Sequence, residues 1–546
     1  MKKLICLLLA AMLLVGCGGE EEKAATTKPA VPTAVLADGT ALTLAPWQEA
    51  GLPTEGAWYL TADVELTEPL VVTGQLQLHL NGHTVTGAAD VNFGNLITVR
   101  KGGSLWIFEE AGGAGTVLSP RSISAKPFIK HVILAEGTVN LVGGTVDASP
   151  VNVEDVTNGA GVYVPEGGLL NIMGATVIGG TVWCQSLQPT APAVEVEDPT
   201  ATTPPDQADP SLTEPTEGTE PAVSTEGTEP AVSTEPTEPT EPTEPEEPEL
   251  LELLGKGGAV YIAAGGKCVL SDGLVTTGSA GLGGNFYVEQ GALLEQTGGS
   301  IESGEALFSG GNLYIAGTVK VSAGEIALGT SFNHGGNITL EGTLEMTGGT
   351  IREGHCGDTG KRGANLLVNG LEAVVNISNA QILDGDGTGK ENFGGNISVI
   401  GQCAREFSIT DTTISGGRGH RGGNVYFGTL AKDVNPENLD FYMKNVTISD
   451  GLCSYKGDNI CMDSDLKGIY VNLVMDNCTI IEENEAGESI SLGAGAAVDT
   501  WATIIMNGGA LEGGNVSLYK DAFFTANGTK LDEQSVGGPG NVEINP

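Results

Sequence analysis

Four variable stretches of this 546-residue chain gather side chains that could handle a charged or hydroxyl-rich ligand. They cover 354–362, 384–393, 416–421 and 450–456, and each precedes one copy of a recurring phrase, Gly-Gly-Asn or a variant of it. The residues are His355, Asp358, Lys361 and Arg362, then Lys390 and Glu391, then Arg418, His420 and Arg421, then Tyr455 and Lys456. With Arg352 just upstream, seven of the chain's 25 basic residues fall here, against a net charge of −44. On so acidic a background, a local row of cations with His and Tyr suits an extended anionic or hydroxyl-rich polymer. The alternative is solvated turn decoration, balanced by Asp358, Asp384, Asp386 and Glu391 through surface pairs. On either reading the charges lie on turns, so removing them should hardly touch a core.

Other chemistry is thinly signalled. Asp384-Gly385-Asp386-Gly387-Thr388-Gly389 opens like a calcium loop. Its twelfth position is Gly395, where such a loop needs a bidentate Glu. It reads as an acidic turn, with a weak calcium site at Asp384 and Asp386 as the alternative. No other cofactor is indicated. Cys184, Cys268, Cys356, Cys403, Cys453, Cys461 and Cys478 contain no CxxC pair, so zinc has no sequence support. Most read as small apolar fillers; a Cys453–Cys461 bridge is left open by the spacing. No Gly-x-Ser-x-Gly elbow marks a serine nucleophile.

The elements that position these residues follow from the repeat. Gly283-Gly284-Asn285, Gly310-Gly311-Asn312, Gly335-Gly336-Asn337, Gly363-Ala364-Asn365, Gly394-Gly395-Asn396 and Gly422-Gly423-Asn424 are each followed by alternating apolar residues. Looser copies end in Asn459 and Asn515, and Gly257-Gly258-Ala259 is an upstream variant. Successive first glycines from Gly257 to Gly457 are 26, 27, 25, 28, 31, 28 and 35 residues apart. Within one period, Asn337-Ile338-Thr339-Leu340, Thr343-Leu344-Glu345-Met346 and Thr350-Ile351-Arg352 alternate with period two and are separated by glycine turns. That is the strand-and-turn signal. Three short strands with one apolar side cannot fold alone. Stacked, they make a triangular coil with an inward apolar face, repeating at about 4.8 Å.

This pattern resembles the right-handed parallel β-helix of the pectin-lyase-like superfamily, from about Trp58 to about Asn545. The expected fold is all-β: a single right-handed parallel β-helix solenoid of about a dozen three-strand coils. The resemblance implies that Asn285, Asn312, Asn337, Asn365, Asn396, Asn424, Asn459 and Asn515 form an internal asparagine ladder. A buried turn leaves unpaired amides and carbonyls, and a short side-chain amide serves both. It also raises polysaccharide lyase or glycoside hydrolase chemistry. The Asn-Thr-Asp, Asp-Asp, Gly-His-Gly and Arg-Ile-Lys signatures of the polygalacturonase-like members are absent here; Gly354-His355-Cys356 and Gly419-His420-Arg421 are only fragments.

Composition agrees with the architecture. The chain has 82 glycines and 5% aromatic residues. Glycine in helix interiors costs about 1 kcal/mol each, which argues against a helical bundle. Its 25 Lys and Arg against 69 Asp and Glu argue against nucleic acid as a partner. From 185 to 255 the pattern stops. That Thr/Glu/Pro-rich stretch holds 18 acidic residues and no Lys or Arg. It is expected to be disordered, a loop grown from one turn of one solenoid. At the N-terminus, Met1-Lys2-Lys3 and an apolar run precede Leu14-Val15-Gly16-Cys17. These last four resemble the lipobox of bacterial lipoproteins, which implies acylation of Cys17. The expected organisation is a signal peptide over 1–16, a tether and lead-in over 17–57, first coils over 58–184, the insertion over 185–255 and the remaining coils over 256–546. The expected protein is a monomer, lipid-anchored on the extracellular face of a bacterial membrane. Its function reads as a non-catalytic adhesion or carbohydrate-binding scaffold for a polysaccharide or host glycan; the alternative is a polysaccharide lyase or glycoside hydrolase.

Overall fold

The computed structural model describes residues 31–36, 38–48, 51–88, 94–118, 129–153, 158–182, 254–357, 361–370, 372–389, 392–400, 406–428, 439–463, 470–482, 487–493, 501–531 and 536–546. They contain no helix and form a parallel β-solenoid. One coil shows the plan. Leu313–Ile315 builds a front wall, Thr318–Val321 and Glu325–Ala327 build two side walls, and Thr330–Ser331 adds a short corner strand before the next Gly-Gly-Asn. Front strands pair only with front strands, in a 15-stranded sheet whose neighbours follow chain order. The side walls share a 30-stranded sheet. The stack is therefore somewhat taller than the Gly-Gly-Asn count suggests. The phrase marks coils only from Asn285 onward, and earlier coils carry other residues at that position.

Register is what makes the stack. Leu313↔Ile338, Val319↔Leu344 and Ile326↔Ile351 pair like with like. The inward residues of each strand then form continuous apolar columns, and Val319, Leu344 and Ile351 are fully buried. Each column stabilises by burial of apolar area, about 25 cal/mol per Å².

The Gly-Gly-Asn phrase has a steric cause at each position. Gly310 turns the chain with φ of 72°. A Cβ on Gly311 would stand 2.1 Å from the Gly336 carbonyl oxygen of the next coil. The asparagine then points inward. Its companion is the glycine that opens the corner segment: a Cβ on Gly329 would lie 2.7 Å from both the Asn312 and Asn337 amides.

From Val260–Ile262 to Ile490–Leu492 the front strands bury every residue, unlike the side walls, which alternate. The outward residues of the front wall are covered because the corner segments fold back across them. Leu282 and Phe308, from corner strands Ser279–Leu282 and Glu305–Ser309, pack on a column of stacked rings. That column runs His131, Tyr163, Tyr261, Tyr287, Tyr314, with centroids 4.9, 5.2, 5.4 and 5.3 Å apart. The described residues break off after Val182 and resume at Leu254. Val162 pairs directly with Val260, and a Cβ on Gly255 would stand 2.1 Å from the Val182 carbonyl oxygen. The coils on either side of the acidic insertion are thus immediate neighbours; the insertion's own interior lies outside the described residues.

Candidate functional site at the solenoid corner

The eight asparagines divide. Asn285 Nδ2 donates to Asn312 Oδ1, Asn312 to Asn337, Asn337 to Asn365, Asn365 to Asn396, Asn396 to Asn424 and Asn424 to Asn459, all at 2.7–2.8 Å. All seven are fully buried. Each of the first six also accepts from a corner glycine N–H, such as Gly304 to Asn312 at 2.9 Å, and donates to a side-wall carbonyl, such as Asn337 to Arg352 at 2.8 Å. From Asn459 the contact passes to Ser489 Oγ at 3.2 Å. Asn515 is only half-buried and donates to the Gly487 carbonyl at 3.4 Å.

The charged set falls on the corner next to this ladder, in two layers. The inner layer is the residue just before each Gly-Gly-Asn. Its backbone is stitched coil to coil: Gly310 N–H donates to His334 O, Gly335 to Arg362 O, Gly363 to Phe393 O, Gly394 to Arg421 O and Gly422 to Lys456 O. Rings and cations alternate along it from His334 to Arg421. Arg362 and Arg421 lie 5.0 and 5.4 Å from the Phe393 ring centre, on neighbouring coils. Arg421 is also 5.5 Å from Tyr455, and Lys456 is 4.1 Å from Tyr519. Asp463, 4% exposed, takes Arg421 at 2.9 Å and Lys456 at 3.7 Å. Burial works most strongly against the Lys456 ammonium, yet the Asp463 carboxylate together with Tyr519 and Tyr455 more than offsets it and holds its pKa above the ordinary lysine value. His334, in the same column, is pushed down to about 4 by burial, with help from Arg362 and Lys361. The expectation that these charges sit loosely on turns therefore does not describe Arg421 and Lys456, whose side chains are 19% and 9% exposed. They are interior because the corner folds over the front wall.

The outer layer faces solvent. His420 stacks on Tyr455 with centroids 5.1 Å apart and planes 10° from parallel. Its Nδ1 is 2.8 Å from Ser454 Oγ. Tyr455 is 54% exposed and Leu452, on the same strand, 59%. Arg418 is exposed. Lys361 Nζ donates to Asn333 Oδ1 and stands 5.7 Å from the exposed Phe332 ring. His355 faces Asp386 at 3.4 Å. Asn392, fully buried, ties the layer together: it donates to Gly357 O, and its own Oδ1 and O accept from Lys361 N and His420 N. Asp358 and Lys390 lie outside the described residues, as does Cys17.

Sequence reading did not single out Phe393, Asp463, Tyr519, Ser454 or Asn392. Phe393 had a legible signal, its place just before Gly394 in the repeat. Asp463 had none, since it follows a front strand and meets Arg421 from 42 residues away.

Asp386 accepts from Thr388 N–H at 3.2 Å and pairs with His355, while Asp384 takes φ of 53° in an exposed turn. Among the described residues no three His, Cys, Asp or Glu side chains gather as a metal site. Cys453 and Cys461 are both unbridged. Burial pushes the Cys356 thiol up to about 12, as suits a packing residue rather than a nucleophile. The chain matches no family model, no curated protein and no solved structure.

Proposed function

We propose that this chain is a lipid-anchored surface protein of the pectin-lyase-like type. Its solenoid presents the corner as a binding face for a hydroxyl-rich, anionic polymer. The observation that carries the reading is the flat stack of half-buried His420 on exposed Tyr455, beside Arg418. An exposed ring offers an apolar face to the C–H side of a sugar, and a nearby cation answers a carboxylate or sulfate. Phe332 with Lys361 repeats the pairing three coils away, about 15 Å at ordinary strand spacing. A rigid rod keeps such pairs at fixed intervals, which favours an extended chain over a compact ligand. The interior cations Arg421 and Lys456 support the wall rather than the ligand.

A polysaccharide array with the mature protein tests the reading. Alanine at Lys361, Arg418, His420 and Tyr455 together should abolish binding and leave the melting temperature within a few degrees. Alanine at Lys101 and Lys130, exposed on other coils, should change neither. Binding should weaken with salt as the screening length falls from about 10 Å at 0.1 M to about 3 Å at 1 M. Wild-type binding by the quadruple variant would make the corner decoration. The anchor is tested separately: the wild type should enter a detergent phase and Cys17→Ala should not.

A further inference from the structure

The corner strands Arg418–Arg421 and Leu452–Lys456 pair in register at Arg418↔Leu452 and Gly419↔Cys453, then slip before Arg421↔Lys456. Between those points His420 alone faces two residues, Ser454 and Tyr455. Such a bulge re-aims side chains. Here it delivers the Ser454 hydroxyl to His420 Nδ1 at 2.8 Å and lays the Tyr455 ring against the imidazole. Two contacts from one strand thus fix the ring's position and tilt. The backbone before the serine is also pinned, because Cys453 N–H donates to the buried Asp458 carboxylate at 2.9 Å. Ser454 is exposed, so a large substrate can reach it. Arg418 stands two residues before His420 and therefore on the same side of that strand.

We propose that Ser454 and His420 form a nucleophile–base pair that cleaves carboxylic esters, such as acyl groups carried on the hydroxyls of a polymer. A serine hydroxyl is a poor nucleophile until a base within hydrogen-bond reach takes its proton. In the first step Ser454 Oγ bonds to the ester carbonyl carbon while its proton passes to His420. Arg418 is the cation placed to answer the charge on the carbonyl oxygen. The carbon–alkoxide bond then breaks, and the leaving oxygen takes the proton from His420. Water, deprotonated by the same imidazole, releases the acyl group as a carboxylic acid and restores the serine. No oxidant, metal or cofactor enters the balance. The activity does not depend on polymer binding.

The purified full chain in detergent would be treated with a fluorophosphonate probe, digested and mapped by mass spectrometry. Its turnover of p-nitrophenyl acetate would be followed against pH. The probe should attach at Ser454. Ser454→Ala should lose the label and fall to the background rate. His420→Gln should slow labelling by about 100-fold or more, the usual scale of lost general-base help, and should lose the rise in rate with pH expected of the wild type. Ser149→Ala, on an exposed turn of a distant coil, should label and turn over as wild type. Absence of label at Ser454 in the folded wild type overturns the proposal, as does unchanged ester turnover in Ser454→Ala. Because the labelled position is mapped in the wild type, the decision stands even where a variant folds poorly.

Discussion

Asn337 uses every hydrogen-bonding position of its amide. Oδ1 accepts from Gly329 N–H and Asn312 Nδ2, and Nδ2 donates to Arg352 O and Asn365 Oδ1. Truncation orphans buried partners on both neighbouring coils. Asn337→Ala should therefore cost about 1–3 kcal/mol in urea unfolding. A second amide row, Asn507–Asn527–Asn545, has similar distances of 2.8 and 2.9 Å but lies where water can replace it. Asn527→Ala should stay within about 0.5 kcal/mol. Equal losses at the two sites would show that burial is not what makes the inner row matter. The histidines add a pH term. His131 and His334 protonate at about 4 in the fold, lowered first by burial, against about 6.5 in an unfolded chain. Between those values the unfolded state binds more protons, so stability rises with pH there. It is fully present above about 6.5 and is lost towards 4, by roughly 3 kcal/mol for each histidine. Unfolding free energies at pH 4.5 and 7 should differ less in His131→Gln/His334→Gln than in the wild type. At this scale the sequence was informative: a short amide recurring after a glycine pair already implies a buried turn in need of both a donor and an acceptor. It could not show that Asn515 departs from the row, because that depends on how Ser489 meets Asn459 in space.

The corner segment is the element on which the candidate chemistry rests. Its location was legible from the repeat, since variable stretches before a constant phrase must emerge at one edge. Its fold-back over the front wall was not. A front strand such as Val425–Gly428 looks the same in sequence whether Tyr426 faces water or a neighbouring segment. Only in three dimensions does Tyr426 O–H donate to Asp463 O, with Phe393 4.9 Å away. Two populations of charge follow, and they should behave differently on mutation. Asp463→Ala removes a buried carboxylate that Arg421 and Lys456 share and should cost about 3 kcal/mol. Arg418→Ala, at the exposed start of its strand, should leave thermal unfolding nearly unchanged. Comparable losses in the two variants would mean that the inner column is as solvated as the outer.

Among the described residues, neighbours in the stack are neighbours in the chain, and the coils on either side of 183–253 pair directly. Because Gly255 returns beside Val182, residues 183–253 can be replaced by a two-residue Gly-Ser link. The melting temperature should move by no more than a few degrees. A collapse in soluble yield would show that this stretch packs on the coils. The same modularity governs the ordinary repeats. Gly310 to His334 is one complete coil, and removing it joins Ser309 to Gly335. Asn285 would then hand its amide to Asn337, and Phe286–Val288 would pair with Ile338–Leu340. Nothing about the asparagine handover records which coil is which. The reach of the rod is thus a digital, heritable quantity. Unequal crossing-over between repeats can shorten or lengthen it in steps of about 5 Å, and selection for distance can act without disturbing either terminus.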